Sequence, residues 1–180
     1  MDLLKLINKA QKGHTASFEL LITKHKQAMY YVSKTILRND EDCADAIQES
    51  VIKAYQNIHK LNEASYFKTW LMRIVMNECY QLIRKQKNIL PLDSIMEPSY
   101  TQPMSQELEM EEALNLLSND HRQLLILFYT VGLSIREVGE LLDLPENTVK
   151  SKMHRAKKKM REFLSENETE EHSWKSGKNF

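Results

Sequence analysis

The sequence predicts an all-α protein: two small helical domains joined by a flexible acidic linker, the second containing a helix-turn-helix. Apolar residues recur at helical spacing in both halves of the 180-residue chain, and strict period-two alternation persists nowhere. Three of the four prolines, Pro91, Pro98 and Pro103, fall in one central stretch with neither helical nor strand pattern. Charge is segregated along the chain. Residues 1–90 hold 14 basic and 9 acidic residues, a net of +5; residues 91–118 hold 6 acidic and no basic residues, a net of −6. Residues 119–165 carry a net of +3 and residues 166–180 a net of −2, so the whole-chain value of +0 conceals an alternation. Asymmetry of this kind implies different partners for different segments. The organisation expected is a first domain over 1–90, a linker over 91–106, a second domain over 107–165 and a disordered polar tail over 166–180.

The first domain divides into four stripes. Leu3, Leu4, Ile7 and Ala10 form a short helix that ends before Gly13. Phe18, Leu21, Ile22, His25, Met29, Val32 and Ile36 follow the 3.6-residue period. Ala44, Ile47, Val51, Tyr55 and Ile58 do the same after a start at Asn39 or Asp40. Phe67, Leu71, Ile74, Val75 and Leu82 make the fourth stripe, with Ser65 expected as its N-cap. On that last helix Trp70, Arg73, Asn77, Gln81 and Arg84 share a second face, which runs into Lys85 and Lys87. Single-stranded bases are held by such a mixture of stacking surface, amides and cations. Chemistry alone favours the plainer reading of that face, a core tryptophan beside a solvated basic surface.

In the second domain, residues 108–117 are amphipathic and Ser118 caps a helix to about Thr130, stopped by Gly132. Ser134 and Glu137 then have the spacing of a capping box, opening a helix to about Leu142. Asp143-Leu144-Pro145 is a tight turn, and Pro145 and Glu146 suit the start of the next helix. Two helices across a three-residue turn make a helix-turn-helix. On the second of them Val149, Met153, Ala156 and Met160 face inward, while Asn147, Lys150, Ser151, His154, Arg155 and Lys158 share the opposite side. That front of cations, hydroxyl and amide is what reaches base edges and phosphates in a major groove. The run from Arg155 to Arg161 adds phosphate-binding charge.

Several classes are disfavoured. No Gly-rich phosphate loop, nucleophile elbow or metal-ligand cluster argues for an enzyme, a cofactor or a small-molecule substrate. Cys43 and Cys79 read as buried thiols rather than a disulfide or metal site. The first residues carry no basic stretch followed by a long apolar run, so no signal peptide is expected, and the apolar runs are too short for a bilayer. The expectation is a cytoplasmic, metal-free protein.

The segment from Asp42 to Tyr55 resembles the polymerase-binding helix of bacterial sigma factors, and Phe67 to Asn77 with Arg84-Lys85 resembles the next sigma helix. Gly132 to Val138 and Thr148 to Lys158 resemble the domain of the small extracytoplasmic-function (ECF) group that reads the −35 element. The resemblance implies a two-domain sigma factor that binds core RNA polymerase, through the β′ clamp helices and the β subunit, and promoter DNA. Asp45, Gln48, Glu49 and Lys53 would meet the clamp helices. Asn62, Tyr66, Trp70, Arg73, Asn77 and Arg84 would read and melt the −10 element, the loop from Lys60 to Tyr66 capturing a flipped base. Asn147, Lys150, Ser151, His154, Arg155 and Lys158 would serve the −35 element. The linker would thread a cationic polymerase channel. The family also implies an anti-sigma partner, often membrane-bound, in a stress or envelope response. Three positions depart from the family's pattern: Gln81 stands where Asp is usual, Asp143 where Gly is common, and Gly139 where Ala is usual. Gly139 would weaken its helix by about 1 kcal/mol relative to Ala. A sigma mimic that binds only anti-sigma factors would lack the DNA-facing cations, and a stand-alone helix-turn-helix repressor would leave the first domain without a purpose.

Overall fold

The computed structural model describes residues 3–37, 39–89, 114 and 116–176, and among them every regular element is helical. The linker, 91–106, lies outside the described residues, as does most of the amphipathic stretch 108–117.

The first unit is built from α1 (Leu3–Gln11), α2 (Thr15–Ile36), α3 (Asp40–Asn57) and α4 (Phe67–Ile89). Short 310 turns at Ile58–Lys60 and Ala64–Tyr66 link the last two. Local chemistry sets each start. The backbone at Gly13 turns at φ 87°, a conformation that glycine adopts without a side-chain penalty. His14 then caps α2, its Nδ1 accepting from the Ser17 amide. Asn39 caps α3, its Oδ1 accepting from the Asp42 amide at 2.7 Å, and the acidic first turn suits the positive helix end. Ser65 does not cap α4; it sits inside the 310 turn.

The core follows the apolar stripes with one rotation. Leu6, Ile7, Phe18, Leu21, Met29, Val32, Phe67, Leu71 and Val75 are buried as their spacing requires. In α3, however, the buried residues are Cys43, Ala46, Ser50 and Ala54, while Ala44 and Tyr55 are exposed. Small side chains face α2 and α4 because the three helices pack there. The Ser50 hydroxyl is satisfied by the Ala46 carbonyl at 2.6 Å. Tyr55 packs edge-on against Phe18, with ring centroids 5.1 Å apart, and leaves its hydroxyl at the surface. Burial pushes the Cys43 thiol up to about 12 and the Cys79 thiol up to about 11.

The second unit comprises α5 (Asn119–Leu125), a π turn over Ile126–Thr130, α6 (Ile135–Leu142) and α7 (Glu146–Ser176). Gly132 closes the π turn at φ 75°. The capping box at α6 is complete: Glu137 N–H donates to Ser134 Oγ, and Ser134 N–H donates to Glu137 Oε2 at 2.8 Å. Asp143 takes the left-handed conformation, φ 56°, that ends α6, and the Leu144 amide returns to the Gly139 carbonyl at 2.9 Å. This return leaves no room at Gly139. A Cβ there would meet the Leu144 carbonyl oxygen at 2.7 Å, so glycine is a packing requirement rather than a propensity defect.

α7 departs from the expected boundary at 165. It continues as helix to Ser176, through residues expected to be a disordered tail. No glycine or proline interrupts the sequence from Glu146 to Ser176, so nothing local stops it. The two units also pack on one another, α2 against α5 and the π turn, and α4 against α6.

Gly139→Ala is expected to lower the melting temperature, where helix propensity alone would raise it; a thermal melt reads the sign. A second expectation concerns His25. It is buried, donates from Nδ1 to the Leu21 carbonyl at 2.8 Å and meets the edge of Phe67. Desolvation, with help from Lys68 and Lys24, holds its pKa below the ordinary 6.5. The folded state therefore binds fewer protons than the unfolded one, and stability is lost as pH falls below 6.5. Urea midpoints measured across that range should fall on acidification, with a shallower slope in His25→Gln.

Candidate nucleic-acid interface

The geometry of α7 follows from its buried back. Val149, Met153 and Ala156 are fixed against the second unit's core at 5% exposure or less. At about 100° per residue this turns Asn147, Lys150, Ser151, His154, Arg155 and Lys158 to solvent, and all six are exposed. Lys150, His154 and Arg155 have no hydrogen-bond or ion-pair partner among the described residues. The Ser151 hydroxyl donates to the Asn147 carbonyl at 2.7 Å, which leaves its lone pairs outward as acceptors. Lys158 lies 3.7 Å from Glu162, a loose exposed pair that phosphate can displace. The rest of the basic run is less uniform than its sequence. Lys157 is drawn over the rings of Tyr129 and Phe128, 5.2 Å and 5.9 Å from the centroids, and Lys152 pairs with Asp120 at 2.9 Å. These two cations brace α7 against the π turn and α5.

On α4 the second stripe is real but mixed. Asn77 and Arg84 are exposed and without partners among the described residues. Trp70 is half-buried, its ring 5.8 Å from Phe67, so one side belongs to the core and the other remains available. Asn62 and Tyr66 are exposed in and beside the turn that precedes α4. Arg73 is exposed as well, but its Nη2 donates to the Glu140 carbonyl of α6 at 2.9 Å.

A third surface lies between α3 and α4. Asp45, Gln48 and Glu49 are exposed and line a shallow cleft of about 300 Å³ with Glu78, Gln81 and Lys85. Lys53 differs from them: it is half-buried and its Nζ meets Glu78 Oε2 at 2.6 Å. Sequence reasoning missed Glu78, which is 7% exposed and sits on the buried side of α4. A charged residue one position before the buried Cys79 was the available signal. Gln86 reinforces the same junction, donating to Asp42 at 2.9 Å.

Residues 21–89 match the family model for sigma-70 region 2, and residues 107–160 match that for sigma-70 region 4. The chain belongs to the sigma-70 family. Curated relatives include ECF members. The sigma factor is 29% identical to the ECF RNA polymerase sigma factor SigW of Bacillus subtilis, over 91% of this chain and 97% of that protein. It is 28% identical to the ECF RNA polymerase sigma-E factor of Haemophilus influenzae, over 84% of this chain and 89% of that one. Its fold is similar to that of CnrH, solved in complex with the cytosolic domain of CnrY, with a TM-score of 0.65 at 22% identity, covering 91% of this chain and 97% of that one. It is similar also to the sigma factor RpoE of Bartonella quintana, solved with the anti-sigma factor NepR, with a TM-score of 0.64 at 23% identity, covering 82% and 96%.

Removing Lys53 leaves a buried carboxylate unpaired. Lys53→Ala is expected to cost about 2 kcal/mol of folding stability. The double variant Lys53→Met with Glu78→Leu should recover most of it, and urea denaturation of the three chains measures both.

Proposed function

We infer that this ECF sigma factor binds core RNA polymerase and directs promoter-specific initiation by reading the −35 and −10 elements and melting the DNA, in a stress or envelope response. The observation that carries the reading is the co-occurrence of three surfaces in one chain. These are an exposed cationic front on a recognition helix, a mixed aromatic, amide and cation stripe on α4, and an acidic and polar cleft on α3. In this reading Lys150, Ser151, His154 and Arg155, with Asn147 and Lys158, contact the −35 duplex. Trp70 and Asn77 supply stacking and amide contacts to the opened −10 strand, Arg73 and Arg84 neutralise its phosphates, and Asn62 and Tyr66 hold the flipped base. Asp45, Gln48 and Glu49 meet the polymerase clamp, and Lys53 joins them while braced by Glu78.

The protein is a regulatory subunit and not an enzyme: the polymerase makes the RNA. No described helix is long and apolar enough to cross a membrane, and the protein works in the cytoplasm, where its polymerase is. An anti-sigma factor, membrane-bound as is common in the group, sequesters it until the signal arrives.

Reconstituted transcription tests the reading. Core enzyme with this chain should start at promoters that core alone ignores, and absence of core binding would sink the proposal. Arg155→Ala should weaken promoter binding by about 1–3 kcal/mol and relax preference at the −35 element while leaving core binding intact.

A further inference from the structure

Tyr129 adds little to the core. It is 60% exposed on the π turn, and its hydroxyl has no hydrogen-bond partner among the described residues. The turn holds it outward: the Val131 amide reaches back to the Ile126 carbonyl at 3.0 Å, a five-residue step that widens the helix. Phe128, half-buried beside it, meets the Tyr129 ring edge-on, with centroids 4.9 Å apart and planes at 86°. Lys157 lies over both rings and makes no hydrogen bond or ion pair among the described residues. On α7, Lys150, His154, Lys157 and Arg161 stand at i, i+4, i+7 and i+11, one exposed row along the helix. Lys150 and His154 belong to the front proposed to meet the −35 duplex, so the aromatic pair borders that front.

We propose that the Lys157 ammonium and the Tyr129 hydroxyl form a seat for one backbone phosphate of the −35 duplex, with the Phe128 and Tyr129 rings as positioning groups that aim the ammonium. The inference rests on the reading of α7 as the duplex-facing helix and extends its contact surface onto the π turn. Lys157 differs here from Lys152. Both brace α7, but the Lys152 charge is spent on the Asp120 carboxylate. A ring face attracts an ammonium through its quadrupole and carries no net charge to cancel it. The positive charge of Lys157 therefore stays whole, and its three N–H donors stay open to oxygen. A phosphodiester supplies two anionic oxygens that accept from an ammonium and from a phenol alike. The Tyr129 hydroxyl sits on the rim of the ring that the ammonium covers, so one phosphate can take a donor from each. The rings also hold the long lysine side chain in place before DNA arrives, which lowers the ordering cost of the contact.

The test measures binding of the full chain to a short labelled duplex of fixed sequence across a series of salt concentrations. Three substitutions are compared with the parent. Lys157→Met removes the charge of the seat. Tyr129→Phe removes the hydroxyl and keeps the ring that Lys157 covers. Lys152→Met removes one charge from the same helix outside the seat. The slope of log affinity against log salt should shrink by about one in Lys157→Met, the signature of one lost phosphate contact. Tyr129→Phe should bind about threefold to tenfold more weakly with the slope unchanged, as loss of one uncharged donor requires. Lys152→Met should keep the parent's slope. Circular dichroism melts establish that each variant is folded at the assay temperature. A merely structural role for the aromatic pair leaves Tyr129→Phe equal to the parent in DNA affinity, and that result overturns the proposal. So does an equal loss of slope in Lys152→Met and Lys157→Met, because net charge alone is then being read. Inorganic phosphate added at matched ionic strength should leave the ratio of parent to Tyr129→Phe affinity unaltered; a ratio that collapses to one marks a site for free anion and overturns the assignment to DNA. The assay contains neither polymerase nor promoter. A chain that binds the duplex as expected, yet starts no transcript with core enzyme, counts against the sigma-factor reading and leaves the phosphate seat standing.

Discussion

Burial of one face of α4 is the constraint from which the rest of the molecule follows. Phe67, Leu71, Met72, Val75 and Cys79 have no exposed surface, and each large side chain among them contributes about 1.5–3 kcal/mol by leaving water. That burial fixes the rotation of the helix about its axis. Once it is fixed, Arg73, Asn77 and Arg84 can only point outward, Trp70 can only straddle the boundary, and Glu78 is carried to the α3 side. The exposed mixed stripe, the anchor that Glu78 gives to α3 and the contact with α6 are three consequences of a single helical register.

Much of this is legible in the sequence because it rests on periodicity and local capping. The stripes of α2 and α4, the Asn39 cap, the capping box of Ser134 and Glu137 and the left-handed turn at Asp143 are encoded within a few residues, where propensity and hydrogen-bonding chemistry act directly. The outward front of α7 is legible for the same reason, since an apolar back at helical spacing determines its opposite. What escaped depends on partners distant in the chain. α3 turns its small residues inward because α2 and α4 pack close, and no pattern within α3 says so. Glu78 is buried because Lys53, twenty-five positions away, arrives to meet it. Gly139 looks like a weak point in a helix until the returning Leu144 carbonyl is placed against it. The helix through Ser176 differs from the expected tail for another reason: polar composition suggested disorder, while no glycine or proline interrupts the segment.

The cations along α7 obey the same rule. Cations that are uniform in sequence divide in space by what lies opposite them. Lys152 and Lys157 are drawn to Asp120 and to two aromatic faces, and so hold α7 to α5 and the π turn. Lys150 and Arg155 have nothing opposite and remain available. The first pair sets the angle at which the second pair is presented, so bracing and solvent-facing cations on one helix are told apart only by what lies opposite them.

The two cysteines close the picture from another side. Thiolate is the form that attacks oxidants, disulfides and metals, and burial holds both sulfurs in the thiol form across the physiological range. Neither Cys43 nor Cys79 is reached by a peroxide or an electrophile unless the first unit opens. The folded chain is consequently blind to thiol oxidation at these two positions. A thiol-reactive stress must be perceived by another molecule and delivered to it as a change of contacts.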